Sequence, residues 1–171
     1  NDTSVYFSII RRPFTNLSLE VSGTDFVYDG TAQTPSVTVK KGNIVIPDSE
    51  YNVIYTDNIN AGTATITISD NEEGNYIIAE AKTNFAIAQK QLDTFLIALS
   101  EIEFTFDGSA KTPSVTVQDG ETVIPESEYT IAYADNTNAG TASVSISNND
   151  GGNYVICDTS AVFAITQKQL E

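Results

Sequence analysis

The chain has 171 residues, 40 % of them hydrophobic, with 8 Lys plus Arg against 23 Asp plus Glu, no histidine and a formal net charge of −15. That apolar content suffices for packed cores rather than a disordered tail. Positive charge clusters only as Arg11-Arg12 and Lys40-Lys41, too little to displace the counterions of nucleic acid or to hold anionic headgroups, so neither partner is expected.

From the N-terminus, residues 1–14 contain Phe7-Ser8-Ile9, a triplet that returns as Phe85-Ala86-Ile87 and Phe163-Ala164-Ile165. They are predicted to be the closing strand of an upstream repeat, or a linker from it. Leu17-Ser18-Leu19-Glu20-Val21 and Phe26-Val27-Tyr28 follow as the first strands, and Asn43 to Ile46 is a short one. Alternation then sets Val37 and Val39, Tyr51, Val53 and Tyr55, Tyr76 and Ile78, and Phe85 and Ile87 on interior faces, with Thr, Ser and Asn between them. Within Thr63 to Ser69 the same period puts Ala64, Ile66 and Ile68 inside and the hydroxyl residues outside. Asp57 to Gly62 reads as the corner before that strand, since Asn58, Asn60 and Gly62 are the residues that most readily take positive φ. No window of ten or more residues has apolar spacing of 3.6, and no apolar run is long enough to span a membrane as a helix.

Sliding the chain against itself by 78 residues aligns Phe26 to Leu92 with Phe104 to Leu170 without a gap, 39 of 67 positions being identical. Such identity requires duplication, and it sets repeat 1 at 15–92 and repeat 2 at 93–171. A period this long suits a small domain that closes its own core. Six or seven short strands separated by turns predict, for each repeat, an all-β, antiparallel β-sandwich of immunoglobulin-like type. A β-grasp-like unit is the alternative, but it needs a helix that the sequence does not place.

Chemistry is sparse. Without histidine there is no imidazole metal site and no Ser-His or Cys-His pair, and Cys157 is the single cysteine. The cysteine corresponds to Ala79, so it is expected to fill a strand position as a small residue. No enzyme activity and no cofactor are expected. The stretch "DNINAG" has acid first and glycine sixth, as an EF-hand loop does, but Ile59 and Ala61 occupy positions that must supply oxygen. The better cation candidates are Asp70, Glu72 and Glu73, although the second copy is poorer in acid there. Aromatics that could stack on a sugar ring, Tyr51, Tyr55 and Tyr76, are in phase with core aliphatics, which leaves Tyr28 as the partly exposed one.

With Tyr28-Asp29-Gly30, Tyr51 to Ile68, Gly74-Asn75-Tyr76 and Phe85-Ala86-Ile87, and their copies Phe106-Asp107-Gly108, Tyr129 to Ile146, Gly152-Asn153-Tyr154 and Phe163-Ala164-Ile165, nearly the whole chain resembles tandem bacterial immunoglobulin-like surface repeats. Units of that family carry "YDG", then "NAGTA", then "GNY" and a closing "FxI". The resemblance implies a bacterial cell-surface or secreted module, one of many in an adhesin-like or stalk-like protein, whose motif positions are structural. Its expected partners are neighbouring repeats of the same chain. The alternative is a recognition module that binds a host protein or glycan through exposed loops or an edge strand. With no methionine, the sequence is expected to be a piece of a longer protein.

Overall fold

The computed structural model describes residues 5–23, 25–157 and 159–169. By internal contacts the chain divides into two units, Asn1–Ala88 and Gln89–Glu171. The first contains β1 (Arg12–Phe14), β2 (Ser18–Val21), β3 (Phe26–Val27), β4 (Val37–Lys41), β5 (Ile44–Val45), β6 (Tyr51–Thr56), β7 (Gly62–Asp70), β8 (Tyr76–Ile78) and β9 (Ala81–Ala88). The second contains β10 (Lys90–Leu92), β11 (Leu96–Leu99), β12 (Glu103–Thr105), β13 (Val115–Asp119), β14 (Thr122–Ile124), β15 (Tyr129–Ala134), β16 (Gly140–Asn148), β17 (Tyr154–Ile156) and β18 (Thr159–Thr166). Strand for strand, the second unit repeats the first, displaced by 78 residues to within one residue at each end.

The fold of each unit is all-β and of sandwich type. A four-stranded sheet, β3-β9-β7-β6, and a three-stranded sheet, β2-β4-β5, share one core in the first unit. In the second the orders are β12-β18-β16-β15 and β11-β13-β14. Helical residues among those described amount to one 3-10 turn per unit, Asp48–Glu50 and Glu126–Glu128, so the helix of a β-grasp unit is not there.

The central strands show why the alternating letters fold this way. In β7, Ala64, Ile66 and Ile68 are fully buried while Thr63, Thr65 and Thr67 face outward, the half-buried pattern of a sheet with one wet side. The register sets Ala64 opposite Phe85 on β9, and that ring meets Phe26 edge to face at 5.2 Å between centroids. A small residue beside a large one fills the layer without a void. In the second unit Ala142 lies opposite Phe163, which meets Phe104 at 5.5 Å.

The structure departs from the sequence reading in four places. Residues 12–14 belong to the first unit, where β1 pairs with β8, Phe14 opposite Ile78. Residues 5–10 of that N-terminal stretch are exposed and form no strand, and residues 1–4 lie outside those described. Lys90–Leu92 likewise pairs with β17 of the second unit, which moves the boundary from Leu92 to Ala88. Second, the sheets are not purely antiparallel, since β1-β8, β3-β9, β10-β17 and β12-β18 are parallel ladders. Third, Val53 is 37 % exposed rather than interior: β6 lies at the sheet edge, and of its residues only Tyr51 is buried and Tyr55 half-buried. Fourth, Cys157 is exposed just beyond β17 and fills no strand position.

Candidate functional site

The motif residues meet in two clusters per unit. One joins the "YDG" and "NAGTA" stretches. Asp29 Oδ1 accepts hydrogen bonds from the Thr31 amide at 2.8 Å, the Thr31 hydroxyl at 2.7 Å and Gln33 Nε2 at 2.9 Å. These bonds, that of the Thr31 hydroxyl foremost, hold the Asp29 carboxyl below its ordinary value. Gln33 in turn clasps the corner: its amide donates to the Asn58 carbonyl at 2.7 Å and its carbonyl accepts from Asn58 Nδ2 at 2.8 Å. The left-handed backbone falls on Asp57, at φ 57°, and on Gly62, at φ 139°, and neither Asn58 nor Asn60 takes positive φ. Asn58 is there for its side-chain amide. In the second unit Asn136 and Lys111 exchange the same pair of bonds, and Lys111 replaces Gln33 on the aspartate, reaching Asp107 at 2.5 Å.

The other cluster surrounds the "GNY" turn. Glu50 is only 7 % exposed, and its carboxylate accepts from the Asn75 amide at 2.5 Å, Asn75 Nδ2 at 2.9 Å and the Tyr76 amide at 3.3 Å. Asn75's side chain first, then the backbone amides, keep Glu50 ionised below its usual range against the cost of burial. Glu128 and Asn153 repeat the arrangement at 2.5 and 3.0 Å. Sequence reasoning overlooked Glu50 and Glu128; the signal was the triplet Ser-Glu-Tyr, written identically in both copies.

Asp70, the first of the cation candidates, closes this cluster. Arg11 grips it with two nitrogens, at 2.9 and 2.8 Å, and also donates to the Asn71 carbonyl at 2.7 Å and to the Tyr76 carbonyl. Asp70 Oδ1 accepts in addition from the Ile78 amide at 2.7 Å. A carboxylate so occupied is a structural anchor, and Glu72 and Glu73 are exposed and do not converge on it. Among the described residues no three of the His, Cys, Asp and Glu side chains gather as a metal site. A depression of about 380 Å³ lies beside the anchor, lined by Ile9, Ile10, Arg11, Gly74 and Asn75. Its one cation is already spent on Asp70.

Compared with known proteins, the chain matches no protein-family model, and no curated protein is significantly similar to it. The site must therefore be judged on its own geometry. Tyr51 and Tyr55 are tied into the fold: they donate at 2.6 Å to Asp48 and to the Pro35 carbonyl, and Tyr133 repeats the latter bond to Pro113 at 2.6 Å. Burial, reinforced by Asp48, pushes the Tyr51 hydroxyl up to about 12, so it stays a neutral donor. Tyr28 and Tyr76 are half-buried and pack against the core. Of the basic pairs, Arg11 holds Asp70, Lys40 holds Glu20 at 2.6 Å, Lys41 donates to the Thr15 carbonyl, and Arg12 lies 5.3 Å from the centre of the Phe14 ring. Among the described residues no helix is long and apolar enough to cross a membrane.

The Arg11–Asp70 anchor has a pH signature. The guanidinium holds Asp70 below the ordinary aspartate value of 3.8. A carboxyl depressed in the folded state stabilises fully above its unfolded value and loses that contribution as pH falls through the folded one. The first unit should therefore lose stability on acidification below about pH 4. An Arg11→Gln variant should start less stable at neutral pH, fall less steeply, and meet the parent curve in acid. Calorimetric scans across that range check this, and parallel curves would refute the anchor.

Proposed function

We propose that the chain is a non-enzymatic extracellular module, two spacer units of a large bacterial surface or secreted adhesin-like protein. The observation that carries this reading is that polar side chains in and beside the motifs are spent within their own unit: Asp29 and Asn58 on the corner, Glu50 and Asn75 on the turn. Asn75, which with Gly74 lines the depression beside Arg11, is itself held by Glu50. The sequence resemblance to tandem surface repeats supports the same role, as does the lack of any histidine.

A spacer must also hold under tension. In each unit, strands near its start run parallel to strands near its end, β1 with β8 and β3 with β9. Pulled along the chain, parallel neighbours of this kind slide past one another, so their hydrogen bonds share the load instead of parting singly. The acidic surface keeps such units soluble and mutually repelling.

A second reading, recognition of a host protein or glycan, is favoured by one feature. The edge strand β6 leaves Val53 and Ile54 exposed, 37 % and 51 % respectively, beside unpaired backbone, and such an edge can take an added strand. Host-matrix and glycan arrays decide between them. A spacer should return nothing above background; saturable binding that Ile54→Lys abolishes would overturn the spacer reading in favour of recognition.

A further inference from the structure

The chain has no Asn-Gly pair but four Asp-Gly pairs, at Asp29, Asp107, Asp119 and Asp150. Glycine has no Cβ to shield its amide nitrogen or to restrain the backbone, so that nitrogen can attack the carboxyl carbon of the preceding aspartate. Three of the four carboxyls are held. Asp29 accepts from the Thr31 amide and hydroxyl and from Gln33. Asp107 accepts from the Ser109 amide at 2.9 Å and from the Ser109 hydroxyl and Lys111, both at 2.5 Å. These bonds, that of the Thr31 hydroxyl foremost on Asp29 and that of Lys111 on Asp107, keep both groups ionised below their ordinary range, and a carboxylate is a poor electrophile. Asp119 pairs with Lys90 at 2.8 Å, and its backbone is fixed opposite Thr122 in the ladder of β13 with β14.

Asp150 is different. It is exposed in the turn that the Gly152 amide closes on the Asn149 carbonyl at 3.2 Å, and neither its carboxylate nor the Gly151 amide makes a hydrogen bond among the described residues. Gly151 stands at φ 81° with open space where a Cβ would be. We propose that Asp150-Gly151 is a site of spontaneous isomerisation that loosens the second unit. The Gly151 nitrogen attacks Asp150 Cγ while the carboxyl is protonated. A C–N bond forms, the hydroxyl leaves as water with the amide proton, and a five-membered succinimide results. Water then opens the ring. Addition at Cγ restores aspartate; addition at the backbone carbonyl carbon leaves the chain running through Cγ, an isoaspartate of unchanged mass with one more atom in the main chain. Both flanks of the turn are tied, so that atom is not absorbed freely: Asn149 Nδ2 donates to the Ser127 carbonyl at 2.7 Å, and the Asn153 amide and side chain are held by Glu128. In the first unit the corresponding residues are Glu72 and Glu73. There the ring would need six members and the attacking amide carries a side chain, so that turn stays intact. The inference is independent of the extracellular role proposed above, because it concerns only the chemistry of this turn.

The test stores the full chain in mildly acidic to neutral buffer and digests samples with a protease that cuts before aspartate but not before isoaspartate. Resistance to cleavage should build up at Asp150 several-fold faster than at Asp29, Asp107 or Asp119. In step with it the second unit should melt several degrees lower, while the first unit is unchanged. Asp150→Glu keeps the charge, cannot close the five-membered ring, and should abolish both effects. A chain in which Asp150 isomerises no faster than the other three, in which stored Asp150→Glu weakens as the parent does, or whose stored second unit melts with the fresh one, overturns the proposal.

Discussion

Replacing Leu92 with alanine should lower the melting of the second unit by about 10 °C or more and leave the first unit where it was. The side chain is 1 % exposed and its strand pairs with β17, so the change removes buried methyl groups and opens a void that the sheet cannot fully close. Such truncations cost about 2–5 kcal/mol. Phe14→Ala is the mirror experiment. The ring is 6 % exposed and stacks on Tyr76 at 4.5 Å between centroids and 15° between planes, and a loss of about 3–5 kcal/mol should fall on the first unit alone. A division after Leu92, as the repeat pattern suggests, assigns the leucine to the first unit and predicts the opposite result. Calorimetry combined with amide exchange of the two units separates the cases, and a first unit that melts early in Leu92→Ala would refute the boundary at Ala88.

What the sequence hid is what runs across it. The inner strands were legible because a half-buried strand writes its two faces as alternate letters, as Ala64, Ile66 and Ile68 do against three threonines. Three-residue strands such as Arg12–Phe14 are too short to show a period, and their partners lie about sixty residues away in a parallel ladder. Phase also says which face a residue shares, not whether anything covers that face. Val53 is in step with Tyr51 and Tyr55, but on the edge strand β6 it stays exposed.

The turn residues are legible as a turn, and Gly62 takes the positive φ that glycine favours, but the task of each asparagine is not legible. Asparagine favours both left-handed backbone and side-chain capping, and at Asn58 the second use prevails, the left-handed backbone passing to Asp57. Asp70 stands in the sequence as no more than a candidate cation ligand, and the partner that occupies it, Arg11, is 59 residues away. A signal did exist in the two copies: Arg11 and Asp70 together become Gln89 and Asn148, which is the trace of a pair in contact rather than of two independent positions.

The glycine of the "GNY" turn carries the second large expectation, because Glu50 is folded over it. A Cβ built on Gly74 would lie 2.6 Å from Glu50 Oε2, 3.1 Å from the Asn71 carbonyl oxygen and 3.3 Å from Glu50 Cα. The last two are backbone atoms and cannot swing aside, so the 3-10 turn, the "GNY" turn or both must shift, and the carboxylate must loosen its hold on Asn75 and Tyr76. Gly74→Ala should therefore destabilise the first unit by about 1–3 kcal/mol through overpacking alone. At Gly152 the nearest backbone atom is 3.3 Å away, and the remaining close atoms belong to the Glu128 side chain, Oε2 at 2.6 Å and Cδ at 3.7 Å. Shortening that side chain frees the space. In a pair of double-mutant cycles, Glu128→Ala should relieve most of the cost of Gly152→Ala, whereas Glu50→Ala should relieve only part of that of Gly74→Ala. Glycine substitutions tolerated without loss in both units would show that the carboxylate does not govern the turn. Equal relief in both units would show that backbone crowding at Gly74 is not what separates them.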